Sequence, residues 1–206
     1  MPSSFDNNVF LNCPLDRDYL QLLKPLVFTI YRLGLNPVIA TQRSDSGEQR
    51  LSKIIEFIQT SRYCIHDLSR FKSVQENEYS RMNMPFEIGV DFGCRNSNKK
   101  YQTKRTLILE SERYSCQRAL SDLSGIDPKC HNSDPQELVY QVRTWFSEQG
   151  FTELPPASVI WDDYNIFQAD LYETKLRYGF NKREIDNLPI NEFITSIQEW
   201  MRVREN

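Results

Sequence analysis

No apolar run in this chain approaches the ~20 residues that a bilayer-spanning helix needs, so no membrane contact is expected. The opening residues, MPSSFDNN, lack both the basic and the apolar stretch of a secretory signal. The five cysteines are an odd set with no CxxC pair. Cys13 and Cys64 fall inside apolar runs, where a free thiol behaves as a small hydrophobe. These absences set the expectation of a cytoplasmic chain with reduced thiols. Only two histidines occur, His66 and His131, and neither has a partner at ligand spacing, so no metal is expected. A net charge of −3 supplies no basic face for phosphate backbones, so no nucleic-acid contact is expected either. The short clusters Lys99–Lys100 and Lys104–Arg105 read as solvated loop residues. No P-loop, GxGxxG or GxSxG motif is present. ATPase, dinucleotide-dependent dehydrogenase and α/β-hydrolase chemistry thereby lose their main support.

What is present is enough for one substantial core: 206 residues, 39% hydrophobic and 26% charged. Four runs, VFLNC (9–13), PVIAT (37–41), YCIHDL (63–68) and RTLILE (105–110), are continuously apolar rather than alternating. That is the pattern of strands covered on both faces of a parallel sheet. The first three recur every 26 to 28 residues, the length of a βαβ crossover. The spacing predicts a doubly wound, open α/β sheet, Rossmann-like or flavodoxin-like. Between the runs, Leu51, Ile54, Ile55 and Ile58 predict one buried helical stripe. Residues 18–33 predict a helix capped by Gly34, with a kink or a restart at Pro25. Leu138, Val142, Trp145 and Phe146 predict a helix after Pro135. The α/β domain is expected over 1–150, with a break at GFTELPPAS and a helical appendage over 157–206. The apolar side of that appendage (Trp161, Tyr164, Phe167, Leu171, Phe193, Ile197, Trp200) would pack on the main domain or on a partner.

Ligands in such sheets bind beyond the carboxyl ends of the strands. The polar residues there are the candidates. Asn12 ends the first run and is a ligand contact or a turn asparagine. In TQRSDSGEQRL, Asp45, Ser46 and Gly47 form a turn expected to cap the next helix, where Arg43 or Arg50 would meet a phosphate. The bland alternative there is a capped loop with solvated arginines. His66 reads as a hydrogen-bonded core histidine, and His131 as part of a long loop that is structural, closes over the site or meets another subunit. In SRMNMPFEIGVDFG, Pro85 predicts the first helical residue, which places Glu87 in the first turn. Glu87 would then either bond back as a capping glutamate or point outward into an open ligand-binding rim. Gly89 and Gly93, one turn apart, would let the helix approach the sheet or a ligand closely.

A strand ending Asp67-Leu68-Ser69, a polar loop, and then Arg81-x-Asn83-x-Pro85-Phe86-Glu87-Ile88-Gly89 resembles a known superfamily. It is the one shared by TIR-like NAD-cleaving domains and nucleoside 2-deoxyribosyltransferases, and the closest likeness is to bacterial TIR-like proteins. The resemblance covers about residues 7–150 in strand order, and only this motif is specific. It implies that Glu87 is the catalytic carboxylate, attacking or stabilising a ribosyl carbon. It implies substrate contacts at Arg81 and Asn83; the residues at the strand ends, Asn12, Asp45, Ser46, Arg50 and Asp67, are the further substrate-binding candidates by their position alone. NAD would be the substrate, with no cofactor. The setting would be antiphage defence, with activity switched by a signal molecule, by homo-oligomer assembly or by an activating partner on the C-terminal helices. The alternatives are a nucleotide-sensing module without catalysis, a scaffold, and a deoxyribosyltransferase-like enzyme, for which Asp45 or Asp67 would have to supply further acidic groups.

Overall fold

A computed structural model of the chain describes residues 4–70, 82–123 and 125–204. Five strands, β1 (Asn8–Asn12), β2 (Asn36–Ile39), β3 (Tyr63–Asp67), β4 (Arg105–Glu110) and β5 (Lys129–Cys130), form one parallel sheet. Its order is β2-β1-β3-β4-β5. The helices are α1 (Ser4–Asn7), α2 (Leu20–Arg32), α3 (Arg50–Gln59), α4 (Asn83–Ser97), α5 (Ser115–Ala119), α6 (Pro135–Glu148), α7 (Ala157–Arg177), α8 (Lys182–Asp186) and α9 (Ile190–Arg204). No helix among the described residues is long and apolar enough to cross a membrane.

The pleat divides the core in two. Val9, Leu11, Tyr63, Ile65, Leu107 and Leu109 point to one face, where α2 and α6 cover them. Phe10, Cys64 and Ile108 point to the other, against α3, α4 and α5. This is the doubly wound α/β arrangement, and the continuous apolar strands follow from it. The C-terminal helices join the first face. Phe28 of α2 stacks at 5.4 Å on Phe167 and meets Tyr164 and Trp200 edge-on at 5.5 and 5.7 Å. Phe167, Phe193 and Ile197 are buried in the same cluster as the sheet residues. Exposed apolar side chains remain on these helices at Tyr172, Leu176, Tyr178 and Val203.

Several local expectations are corrected. Pro25 neither restarts nor ends the helix: α2 runs through it from Leu20, after a 3-10 turn at Arg17–Tyr19. The lost N–H would have served only Gln21, and burial of eight side chains outweighs that one bond. Gly34 caps the helix as expected, at φ 76°, with the Leu35 amide bonded back to Ile30 at 3.0 Å. In α3 the buried stripe is Ile54, Phe57 and Ile58, while Leu51 is 47% exposed and Ile55 only half-buried. The helix has only begun at Leu51, so nothing yet lies over it. β5 was not expected; two residues are too few to show a periodicity, and backbone pairing with Leu109 and Glu110 defines it. Lys104 is no solvated loop residue but fully buried.

The start of α4 also differs. Its first helical residue is Asn83, so Pro85 is the third and Glu87 the fifth. Proline is harmless at any of the first four positions, whose N–H groups have no intrahelical partner, so Pro85 does not mark the first. Gly89 and Gly93 are both exposed, and an added Cβ on either would meet nothing within 4 Å. Neither glycine serves close packing on the sheet, which α4 meets through Met84, Glu87, Ile88 and Asp91.

Candidate functional site

The strand order reverses between β1 and β3, and in an open α/β sheet a ligand crevice lies outside the carboxyl ends at that point. Asn12 ends β1, and His66 and Asp67 end β3. α4 brings Glu87 to the same place, and α3 brings Arg50. Arg81, with the rest of 71–81, lies outside the described residues.

Glu87 is not on an open rim: it is 4% exposed. Nor does it cap the helix, because it stands in the second turn and bonds to the side chain of Asn83 four residues back. An Arg50 guanidinium nitrogen lies 3.6 Å from Oε1. Arg50 and Asn83 are themselves exposed, so the carboxylate rests directly beneath two surface side chains. Burial pushes its pKa above the usual glutamate value, and the charge of Arg50 and the Asn83 bond oppose that only in part. Cys13 lies among carboxylates: burial first, then the charges of Asp67, Glu87 and Asp16, push its thiol far up and leave it inert. All five cysteines are free.

Beside Glu87, on the α3/α4 face, a chain of buried polar groups descends into the core. The Asn12 amide, Nδ2, lies 2.9 Å from His66 Nδ1 and 3.2 Å from the Met84 carbonyl. His66 Nε2 lies 3.4 Å from Asp91 Oδ2, which also accepts from Thr106 at 2.7 Å. Lys104 Nζ lies 3.2 Å from Asp91 Oδ1 and donates at 2.6 Å to both the Ile58 and Ser61 carbonyls. The ammonium thus also meets the negative end of α3. Burial alone would raise the Asp91 pKa and lower that of Lys104; His66 first, then the Lys104 charge and the Thr106 bond, bring Asp91 down instead, and the neighbouring Cys64 and Asp91 bring Lys104 up. Cys64 Sγ, His66 and Asp91 bring ligand-type atoms within 4.8 Å of one another. The expectation from spacing missed this cluster because Asp91 arrives from another element. Lys104 Nζ, 3.3 Å from Cys64 Sγ, supplies the positive charge there.

On the opposite face, Asp67 is wholly buried and accepts from four donors: the Tyr19 hydroxyl, the Ser69 amide, the Ser69 hydroxyl and His131 Nε2. Burial works against its ionisation, but His131, Ser69 and Tyr19 together hold its carboxyl below the ordinary value. His131 is structural: it is buried and ties the end of β5 to β3. The Ser133 amide donates to His131 Nδ1 at 3.1 Å, which leaves the ring proton on Nε2. That nitrogen lies 2.9 Å from Ser69 Oγ, but a protonated Nε2 cannot take the serine's proton, so the trio is a brace and not a nucleophilic triad.

Asp45 and Ser46 stay on an exposed loop. Asp45 accepts from Gly47 at 2.9 Å, and the residue preceding α3 is Gln49, without a side-chain cap, so the expected capping by this turn does not occur. Arg43 is taken by Glu48 and by Glu56 (2.8 Å) and lies over the Phe57 ring. Of the two arginines only Arg50 reaches Glu87. Sequence reasoning missed Asp91, Lys104, Tyr19 and Ser69. The single available signal was that Asp91 follows Glu87 by four residues, on the same helix face.

Asp67 and Asp91 both bind protons less readily in the folded chain than the ordinary ~3.9 of an unfolded aspartate. Protonation therefore favours unfolding, and the stability they contribute is complete above that range and lost as pH falls through it. Urea unfolding at stepped pH should show stability dropping below about pH 5, with a shallower drop in Asp67→Asn. An equal slope in that variant would remove the assignment.

No protein-family model matches this chain, and no curated protein matches it in sequence.

Proposed function

We propose that the chain is a nucleotide N-glycosidase that cleaves the nicotinamide–ribose bond of NAD. The observation that carries this reading is the placement of Glu87: a residue only 4% exposed, at the reversal point of the sheet, with its carboxylate behind the exposed side chains of Arg50 and Asn83. The helix-start motif's likeness to TIR-like domains supports it. Breaking the C1′–N1 bond sends its electron pair to the cationic nicotinamide, which leaves neutral. The ribose becomes oxocarbenium-like, and a carboxylate held in a poorly hydrated place stabilises or captures it. Water then adds at C1′ and a proton is lost, leaving ADP-ribose. Because the leaving base is already positive, no general acid is needed. Arg50, 60% exposed, is free on its outer side to turn to the pyrophosphate, which would release Glu87 for the ribose. A role in antiphage defence, activated by assembly, belongs to the same proposal and rests on the resemblance alone.

A nucleotide sensor of the same fold is the second reading, favoured by the Arg50–Glu87 contact, which neutralises the carboxylate as long as it persists. A deoxyribosyltransferase is less well supported, since Asp67 has four donors and Asp45 closes an exposed turn. Incubating the purified protein with NAD and following nicotinamide by chromatography separates the readings. Release is expected; thermal stabilisation by NAD without release would favour the sensor, and neither effect would remove both.

A further inference from the structure

We infer that Asp91, which touches no ligand, is a positioning residue that acts through His66 to aim the Asn12 carbonyl into the crevice, where it accepts a ribose hydroxyl. The ligand half of this rests on the nucleotide reading above; the orienting half does not.

The Met84 carbonyl can only accept, so the atom of Asn12 that faces it at 3.2 Å is the amide nitrogen. The same nitrogen faces His66 Nδ1 at 2.9 Å, so that ring nitrogen is an acceptor and the ring proton is on Nε2. Asp91 Oδ2 receives it at 3.4 Å. Asp91 is kept a carboxylate by the buried ammonium of Lys104 and by Thr106. Each link permits one arrangement of hydrogens. If His66 carried its proton on Nδ1, that proton would point at the Asn12 amide and force it to flip, setting oxygen against the Met84 carbonyl. Both amide hydrogens of Asn12 are thus spent inward. Its Oδ1 accepts no hydrogen bond from a described residue, although the side chain is only 4% exposed. The oxygen is not among the buried side-chain atoms that lack a partner, so it reaches the surface, where a ligand hydroxyl can meet it. It lies at the carboxyl end of β1, beside Glu87. An acceptor there selects a ligand donor, and in glycoside cleavage the hydroxyl next to the reacting carbon is the one whose hydrogen bond strengthens as charge develops.

Two measurements test this. Nitrogen-15 spectra of labelled histidine read the tautomer of His66 directly, and only two histidines need assigning. Calorimetric titration compares ADP-ribose with the analogue lacking the 2′-hydroxyl of its terminal ribose. The wild-type chain should show His66 protonated on Nε2 and prefer ADP-ribose by about tenfold, the worth of one buried hydrogen bond. Asn12→Ala should bring that ratio close to one and leave the His66 tautomer unchanged. Asp91→Asn should admit the Nδ1-protonated form and lower the ratio as well; if it does not fold, the wild-type tautomer and Asn12→Ala still decide. A His66 proton on Nδ1 in the wild type overturns the orienting half whatever the ligand does. An undiminished ratio in Asn12→Ala overturns the hydroxyl contact. Failure of the wild type to bind either nucleotide removes the nucleotide reading and the hydroxyl contact with it, while the histidine spectrum still judges the orientation.

Discussion

Glu87→Gln should cut nicotinamide release from NAD by about 10²–10³-fold or more while the chain stays folded. The magnitude is that of removing one preorganised group aimed at charge that develops in the transition state. Glutamine keeps the shape and the capacity to bond Asn83 but has no negative charge to meet an oxocarbenium ion. Folding should not suffer. Burial raises the Glu87 pKa, so the ionised carboxylate is disfavoured in the folded state at neutral pH, and a neutral side chain relieves that penalty. A drop in turnover with unchanged or higher unfolding temperature therefore separates chemistry from structure. The pH profile sharpens the test. The reaction needs the carboxylate ionised, so activity should fall as pH drops through a pKa above the ordinary glutamate value of ~4.3. Arg50→Ala removes a charge that pulls this pKa down, and the acid limb should then move to higher pH. A Glu87→Gln chain as active as wild type would end the assignment.

Lys104→Met should destabilise the fold by about 3–5 kcal/mol, as expected when one member of a buried ion pair is removed. Lys104 and Asp91 are both fully buried, and water cannot reach Asp91 to replace the ammonium. The Ile58 and Ser61 carbonyls lose their 2.6 Å donor in the same step. Adding Asp91→Asn should recover much of the loss, because the uncompensated charge is its largest part and the amide oxygen can still accept from His66 and Thr106. Urea denaturation of the single and double variants measures the coupling. A loss below about 1 kcal/mol for Lys104→Met would mean that the side chain reaches solvent, as a surface lysine pair does.

Much of the architecture is readable from apolar runs because both faces of a parallel strand are covered. Val9 to Leu11 and Leu107 to Leu109 alternate between two cores, so no polar residue interrupts them. Leu138, Val142, Trp145 and Phe146 could be placed on one helix face for the same reason, and all four are buried. Charge misleads more readily. Lys104 precedes a strand in a run of polar residues, and nothing local distinguishes it from Lys99 or Lys100, which are exposed. What makes it a core residue is Asp91, thirteen positions earlier on a different element. Glu87 shows the same limit: its motif marks the residue, but its second-turn position, its cover by Asn83 and Arg50 and its raised pKa depend on where α3 and α4 lie.

The residues alone determine that there are apolar strands in a βαβ rhythm, a polar segment after each, and one glutamate in a distinctive helix start. Hydrophobic period is a local property, so it survives in one dimension. Which carboxylates stay charged, which nitrogen of His66 carries the proton and which arginine reaches Glu87 are decided only in the folded chain. Burial and electrostatic pairing act between groups that the chain keeps tens of residues apart.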